Sequence, residues 1–175
     1  MTAPTTLEHL NTLDQPDFVA ALSGLFEGPP WIVGEAWQSR PFKSMDELYA
    51  ALCQALYDAP TERKVALIQA HPDLVGRAAR TGSLGPASTA EQAAAGLNTL
   101  TPEEIATFER LNADYQQRFR FPFVICAREH KKDSILAGFA VRMRNTRDQE
   151  IATALDEIAR ICHLRLLDTV QADKG

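Results

Sequence analysis

Residues 1–175 are expected to fold as one all-α domain, a bundle of about seven or eight helices with one short extended segment near 121–127. Three observations carry this expectation. Apolar residues recur every three or four positions over most of the chain, the spacing that lines one face of an α-helix. Several of these runs open on helix-start signatures, in which a capping side chain is followed by proline or by an acid or amide. One apolar stretch alone breaks the period.

Taken in order, Asp14-Gln15-Pro16 reads as a helix start with proline in the first turn, and Gly28-Pro29-Pro30 closes that segment. Ser44 and Glu47 have capping-box spacing, and behind them Leu48, Leu52 and Leu56 recur every four residues. A second stripe, Val65 to Ile68, leads to His71, where Pro72 disfavours helical geometry and should end the helix. Ser88 and Glu91 repeat the capping-box pattern. "TPEE" at 101–104 opens a helix towards Arg118, and "TRDQ" at 146–149 opens the last one, which should run to about Val170. "FPFVICA", 121–127, has β-branched residues and an internal proline but no partner strand, so an extended buried segment between helices is expected. Its backbone N–H and C=O groups would need partners, some of which a ligand could supply.

Composition narrows the function classes. The formal net charge of -5 argues against nucleic acid as the main partner, since phosphate binding needs a basic surface; the one basic cluster, "REHKK" at 128–132, is short and reads as a solvated loop. No apolar run approaches the roughly 18 residues of a membrane span. The N-terminus, "MTAPTTLEHL", lacks a basic end followed by an apolar core, which points to the cytoplasm. Cys53, Cys126 and Cys162 are odd in number and set among apolar residues, as buried thiols would be. His9, His71, His130 and His163 are far apart, with no pair at metal-site spacing, so no metal is expected.

Three side chains stand out as candidates for chemistry. His71 fits either a capping or core histidine or a proton donor and acceptor; Pro72 fixes its backbone, and Gly76, Gly82 and Gly85 in the following loop allow close approach of a ligand. Glu91 is either half of a capping box or an acid at a helix N-terminus, where Ser88 to Gln92 would cradle a polar substrate. Gln92 adds a donor and an acceptor for an amide or ureido group. Arg165 falls in register with the apolar stripe Ile151, Leu155, Ile158, Cys162, while Arg160 lies opposite and His163 off the stripe. A guanidinium facing a core needs an anion, which a structural carboxylate or a substrate carboxylate would provide, unless its stem carries it to the surface. "TGSLG" is not a nucleophile elbow, the glycines form no nucleotide-binding pattern, and Trp31 and Trp37 read as packing residues.

With "HPDL", "STAEQ", "FPFVICAR" and "ICHLRL" in that order, the chain resembles the 2-oxo-4-hydroxy-4-carboxy-5-ureidoimidazoline (OHCU) decarboxylase family of the urate-to-allantoin pathway, over roughly Leu7 to Val170. The resemblance implies an all-α, cofactor-independent, homodimeric enzyme that makes (S)-allantoin from a small anionic ureidoimidazoline. It implies that His71 is the catalytic histidine and that Pro72 contacts substrate. Ser88, Thr89, Ala90, Glu91 and Gln92 match a second binding segment, with Glu91 at the acidic catalytic position. Phe123, Val124, Ile125, Cys126 and Ala127 match a third, whose backbone contacts the ring, and Arg165 matches the arginine that meets the substrate. The chain ends "ADKG", without the peroxisomal tripeptide frequent in eukaryotic members, which implies a bacterial, cytoplasmic one. Two rivals are a hydrolase opening the urate-derived ring and a non-catalytic helical interaction module.

Overall fold

A computed structural model describes residues 4–171, so the expectations drawn from residues 1–3 and from the terminal "ADKG" lie outside the described residues. The all-α class holds. In chain order the elements are β1 (Thr5–Thr6), α1 (Leu7–Thr12), α2 (Gln15–Ala21), α3 (Trp31–Ala36), α4 (Met45–Asp58), α5 (Thr61–Gln69), α6 (Arg77–Arg80), α7 (Pro86–Ala94), α8 (Pro102–Phe119), α9 (Lys132–Arg142), α10 (Arg147–Thr169) and β2 (Val170–Gln171). Short 3-10 turns cover Trp37–Ser39 and Ala127–Glu129. The helices beyond the seven or eight expected are short ones such as α1, α3 and α6, of six, six and four residues, which show too few turns for a period to be read. The only sheet among the described residues pairs β1 in parallel with β2, Thr5 opposite Val170.

The chain divides into two compact units, Met1–Lys64 with Ala159–Gly175, and Val65–Ile158. In the first, Leu48, Leu52 and Leu56 of α4 are fully buried, as their four-residue spacing requires. Ser44 caps this helix by accepting from Glu47 N–H at 3.2 Å, and Asp14 caps α2 by accepting from Asp17 N–H at 3.0 Å. Helix α2 ends at Ala21, well short of Gly28, because Ser23 and Gly24 favour turns; Leu22, Leu25 and Phe26 stay buried through that bend. Trp37 donates its indole N–H to Leu13 O at 3.1 Å and lies under the Arg40 guanidinium at 4.2 Å, the packing role expected of it.

The second unit carries most of the sequence-predicted site. Thr101 and Glu104 form the expected capping box on α8, with reciprocal bonds of 3.2 and 3.0 Å. Thr146 and Gln149 do the same at the start of α10. Residues 121–126 form neither helix nor strand and are buried, as expected, while Ala127, also buried, already opens the second 3-10 turn. Helix α8 ends on Arg120, which adopts the left-handed conformation at φ 66°; its N–H bonds Gln116 O, and the chain turns into that segment.

Candidate active site

His71 stands where the sequence places it, just past the end of α5. Its N–H reaches Ile68 O at 3.1 Å, Pro72 stops the helix, and the side chain is only 8% exposed. The loop that follows is clasped by amide side chains. Gln92 Oε1 accepts from Val75 N–H at 3.1 Å and Gln92 Nε2 donates to Asp73 O at 3.4 Å. Asn112 Nδ2 donates to Leu74 O at 2.7 Å, and Gln116 Nε2 to Asp73 Oδ1 at 3.2 Å. Within this clasp Val75 has φ 53°, a left-handed conformation that strains a β-branched residue and persists only where its surroundings enforce it. Gly76 is needed for a different reason: a Cβ there would lie 2.8 Å from Asp73 Cβ. Its close approach is to the loop itself.

The second motif needs a correction. Helix α7 begins at Pro86 with Gly85 as its cap, so Ser88 is already inside the first turn and does not form a capping box with Glu91. Gly85-Pro86 pre-empts Ser88 because proline at a first helical position fixes the starting φ two residues earlier. Thr89 N–H accordingly bonds Gly85 O at 3.0 Å, and residues 89–92 offer a helix side rather than open N–H groups. On that side Ser88 and Gln92 are buried and Glu91 half-buried, at the i, i+3, i+4 spacing of one face, while Thr89 and Ala90 are exposed.

The third segment is braced from within the same unit. Arg142 Nη1 donates to Val124 O at 2.6 Å. Arg142 Nε in turn pairs with Glu150 Oε1 at 2.7 Å, and Tyr115 OH donates to the same carboxylate oxygen. Asn145 Nδ2 bonds Glu150 Oε2 at 2.8 Å. Arg142 also lies 4.2 Å above the Phe123 ring, which stacks on Phe139 at 3.8 Å. Two residues further on, Glu157 Oε2 accepts from Cys126 N–H at 2.8 Å. Burial, and after it the carboxylates of Glu129, Glu157 and Glu91, push the Cys126 thiol up to about 11, so the thiol is neutral and Glu91 lies within electrostatic reach of this segment. The structure thus brings the His71 loop, α7 and residues 123–127 together in one unit.

Arg165 belongs to the other unit. It sits in the buried stripe of α10 as its register predicts, 6% exposed, with Arg160 and His163 exposed. Its guanidinium meets Gly24 O at 3.2 Å and Glu27 Oε1 at 3.4 Å from both terminal nitrogens. A structural carboxylate is therefore present, supplied by the bend after α2.

Against known proteins, the model of the OHCU decarboxylase family matches residues 11–167. This chain belongs to the OHCU decarboxylase family. A Haloferax volcanii protein named 2-oxo-4-hydroxy-4-carboxy-5-ureidoimidazoline decarboxylase is 40% identical over 96% of this chain and 98% of its own length. One of the same name from Amia calva is 37% identical over 94% of each. Among solved structures, an (S)-allantoin synthase superposes with a TM-score of 0.76 at 24% identity, over 95% of this chain and 54% of that one. An OHCU decarboxylase crystallised with (S)-allantoin gives 0.67 at 19% identity, over 89% and 97%. These two likenesses concern the fold.

Beyond the motifs that this OHCU decarboxylase family member was read from, Asn112, Arg142, Glu150, Glu157 and Glu27 escaped sequence reasoning. For three of them a signal existed. Asn112 interrupts the stripe Phe108, Tyr115, Phe119 on α8, and Arg142 completes Ile135, Phe139 on α9. Glu150 starts the buried row Ala154, Ile158, Ile161. A polar or charged residue in an apolar register needs a buried partner, and here the opposite charges of Arg142 and Glu150 find each other.

Proposed function

We propose that this chain decarboxylates OHCU to (S)-allantoin in urate degradation, without a cofactor, as a cytoplasmic homodimer. The family match over residues 11–167, together with near-full-length relatives that bear the decarboxylase name, carries the proposal. The chemistry is within reach of ordinary side chains. The substrate carboxylate sits on a hydroxyl-bearing carbon next to a ring C=N bond; when the C–CO2 bond breaks, its electron pair forms a C=C bond to the ureido-bearing carbon and the C=N pair moves onto nitrogen, which takes a proton. The hydroxyl then gives up its proton to leave a carbonyl, and the ureido-bearing carbon takes a proton on one face. The protein has to orient the carboxylate out of the ring plane and govern the proton.

His71, buried at a rigid helix exit, manages that proton and sets the stereochemistry, with Pro72 beside it against the substrate. Glu91 and Gln92 hold the hydroxyl and ureido groups. Gln92 uses one donor and one acceptor position on the loop and keeps one of each for a ligand. Ser88 lies on the same face of α7 one turn earlier; Thr89 and Ala90 complete the matched segment on its exposed side. Along Phe123, Val124, Ile125, Cys126 and Ala127, the Val124 carbonyl and Cys126 N–H are taken by Arg142 and Glu157. Ring contacts fall to the remaining backbone groups of Phe123 to Ala127. Arg165, matched to the arginine that meets the substrate in the family, anchors anionic oxygen.

His71→Asn tests the assignment. The variant should fold normally and lose turnover by about 100-fold or more, measured by circular dichroism of allantoin formed from freshly generated OHCU. Undiminished turnover to the (S) product would remove His71 from catalysis. Release of CO2 separates this reaction from hydrolytic ring opening.

A further inference from the structure

We propose that Asn112 is a positioning residue for His71, holding the catalytic loop through the Leu74 carbonyl. This rests on the assignment of His71 as the proton-handling group. Asn112 lies in the middle of α8, flanked in its stripe by Phe108 and Tyr115, both fully buried, and it is itself 7% exposed. Packing alone would favour an apolar side chain there. Its amide instead donates 2.7 Å to Leu74 O, three residues after His71, while Oδ1 is buried without a hydrogen-bond partner among the described residues. A half-satisfied buried amide is costly, and such local violations concentrate where geometry is held for function.

The loop needs the hold. Val75, next to the bonded carbonyl, is in the left-handed region, and Gln92 fixes it from the other side through its N–H. Asn112 and Gln92 thus grip consecutive residues from two helices. Release of either end allows Val75 to relax towards ordinary backbone angles, which moves Leu74 and, through Asp73 and Pro72, the imidazole. A displacement of about 1 Å at a reacting group lowers turnover by about 100-fold while leaving the binding contacts in place.

The test is Asn112→Leu, with Asn112→Ala as a second, smaller variant that likewise cannot donate to Leu74 O. Each is measured on the full chain for melting temperature, kcat, KM, optical purity of the product and the NMR signals of the His71 ring. A positioning role predicts kcat per folded molecule lowered about 10- to 100-fold with KM nearly unchanged, reduced optical purity and shifted His71 signals. The same substitution made on His71→Asn should then add no further loss, because the group it positions is gone. Unchanged kcat in a folded variant, or an equal loss in both backgrounds, overturns the proposal. If His71→Asn itself is fully active, the catalytic assignment has failed and the positioning role fails with it. If neither Asn112 variant folds, the residue is a structural support and the proposal is refuted.

Discussion

Replacing Glu150 by leucine should be among the most damaging single changes available in the second unit. The carboxylate is fully buried and accepts from Arg142 Nε at 2.7 Å, Asn145 Nδ2 at 2.8 Å and the Tyr115 hydroxyl. Leucine removes the acceptor of all three bonds and strands a guanidinium that is only 7% exposed. Arg142 keeps its bond to Val124 O and its place over Phe123, but neither neutralises a charge. Breaking a buried pair this way costs about 3–5 kcal/mol, a large share of the roughly 5–15 kcal/mol that holds a domain folded. Changing Arg142→Met as well removes the stranded charge, so the double variant should recover to within about 1–2 kcal/mol of the starting protein. Activity should not recover with it, since Val124 O then has no donor and the extended segment loses its brace. Urea unfolding with unchanged slope gives both free energies, and the allantoin assay gives turnover per folded molecule. A loss below about 1 kcal/mol for Glu150→Leu, or a double variant no more stable than the single, would refute the electrostatic account.

Because α7 starts at Pro86 with Gly85 as its cap, Glu91 is not half of a capping box, and Glu91→Gln should cost less than the roughly 1 kcal/mol of a lost cap while turnover falls by about 100-fold; a stability loss with activity kept would reverse its role. The Cys126 thiol is raised from 9.0 to about 11, so the folded state holds a proton that the unfolded chain releases earlier. Its contribution to stability is complete below pH 9 and is lost between pH 9 and 11; the urea midpoint should fall over that window, and less steeply in Cys126→Ala.

What could be read beforehand was what local chemistry decides. Asp14, Ser44, Thr101 and Thr146 cap their helices because a short oxygen-bearing side chain meets free N–H groups within three residues. Pro72 ends α5 by steric conflict, and the register of α10 buries Arg165 by rotation alone. Ser88 misled because two start signals, Gly85-Pro86 and Ser88 to Glu91, overlap and only one turn can come first. The long-range partners were out of reach. Glu27 meets Arg165 across 138 positions of sequence and Asn112 meets Leu74 across 38, and no periodicity encodes which distant carboxylate or carbonyl a buried donor will find. The family was visible in four motifs; the long-range bonds that brace those segments were not.

The left-handed backbone at Val75 has a mechanical meaning for the whole enzyme. A branched side chain held in that shape is a loaded spring, and the amides that restrain it also set the direction of the imidazole. Loosening the spring and misaiming the ring are one event, so drift at neighbouring positions can detune this protein long before it unfolds it.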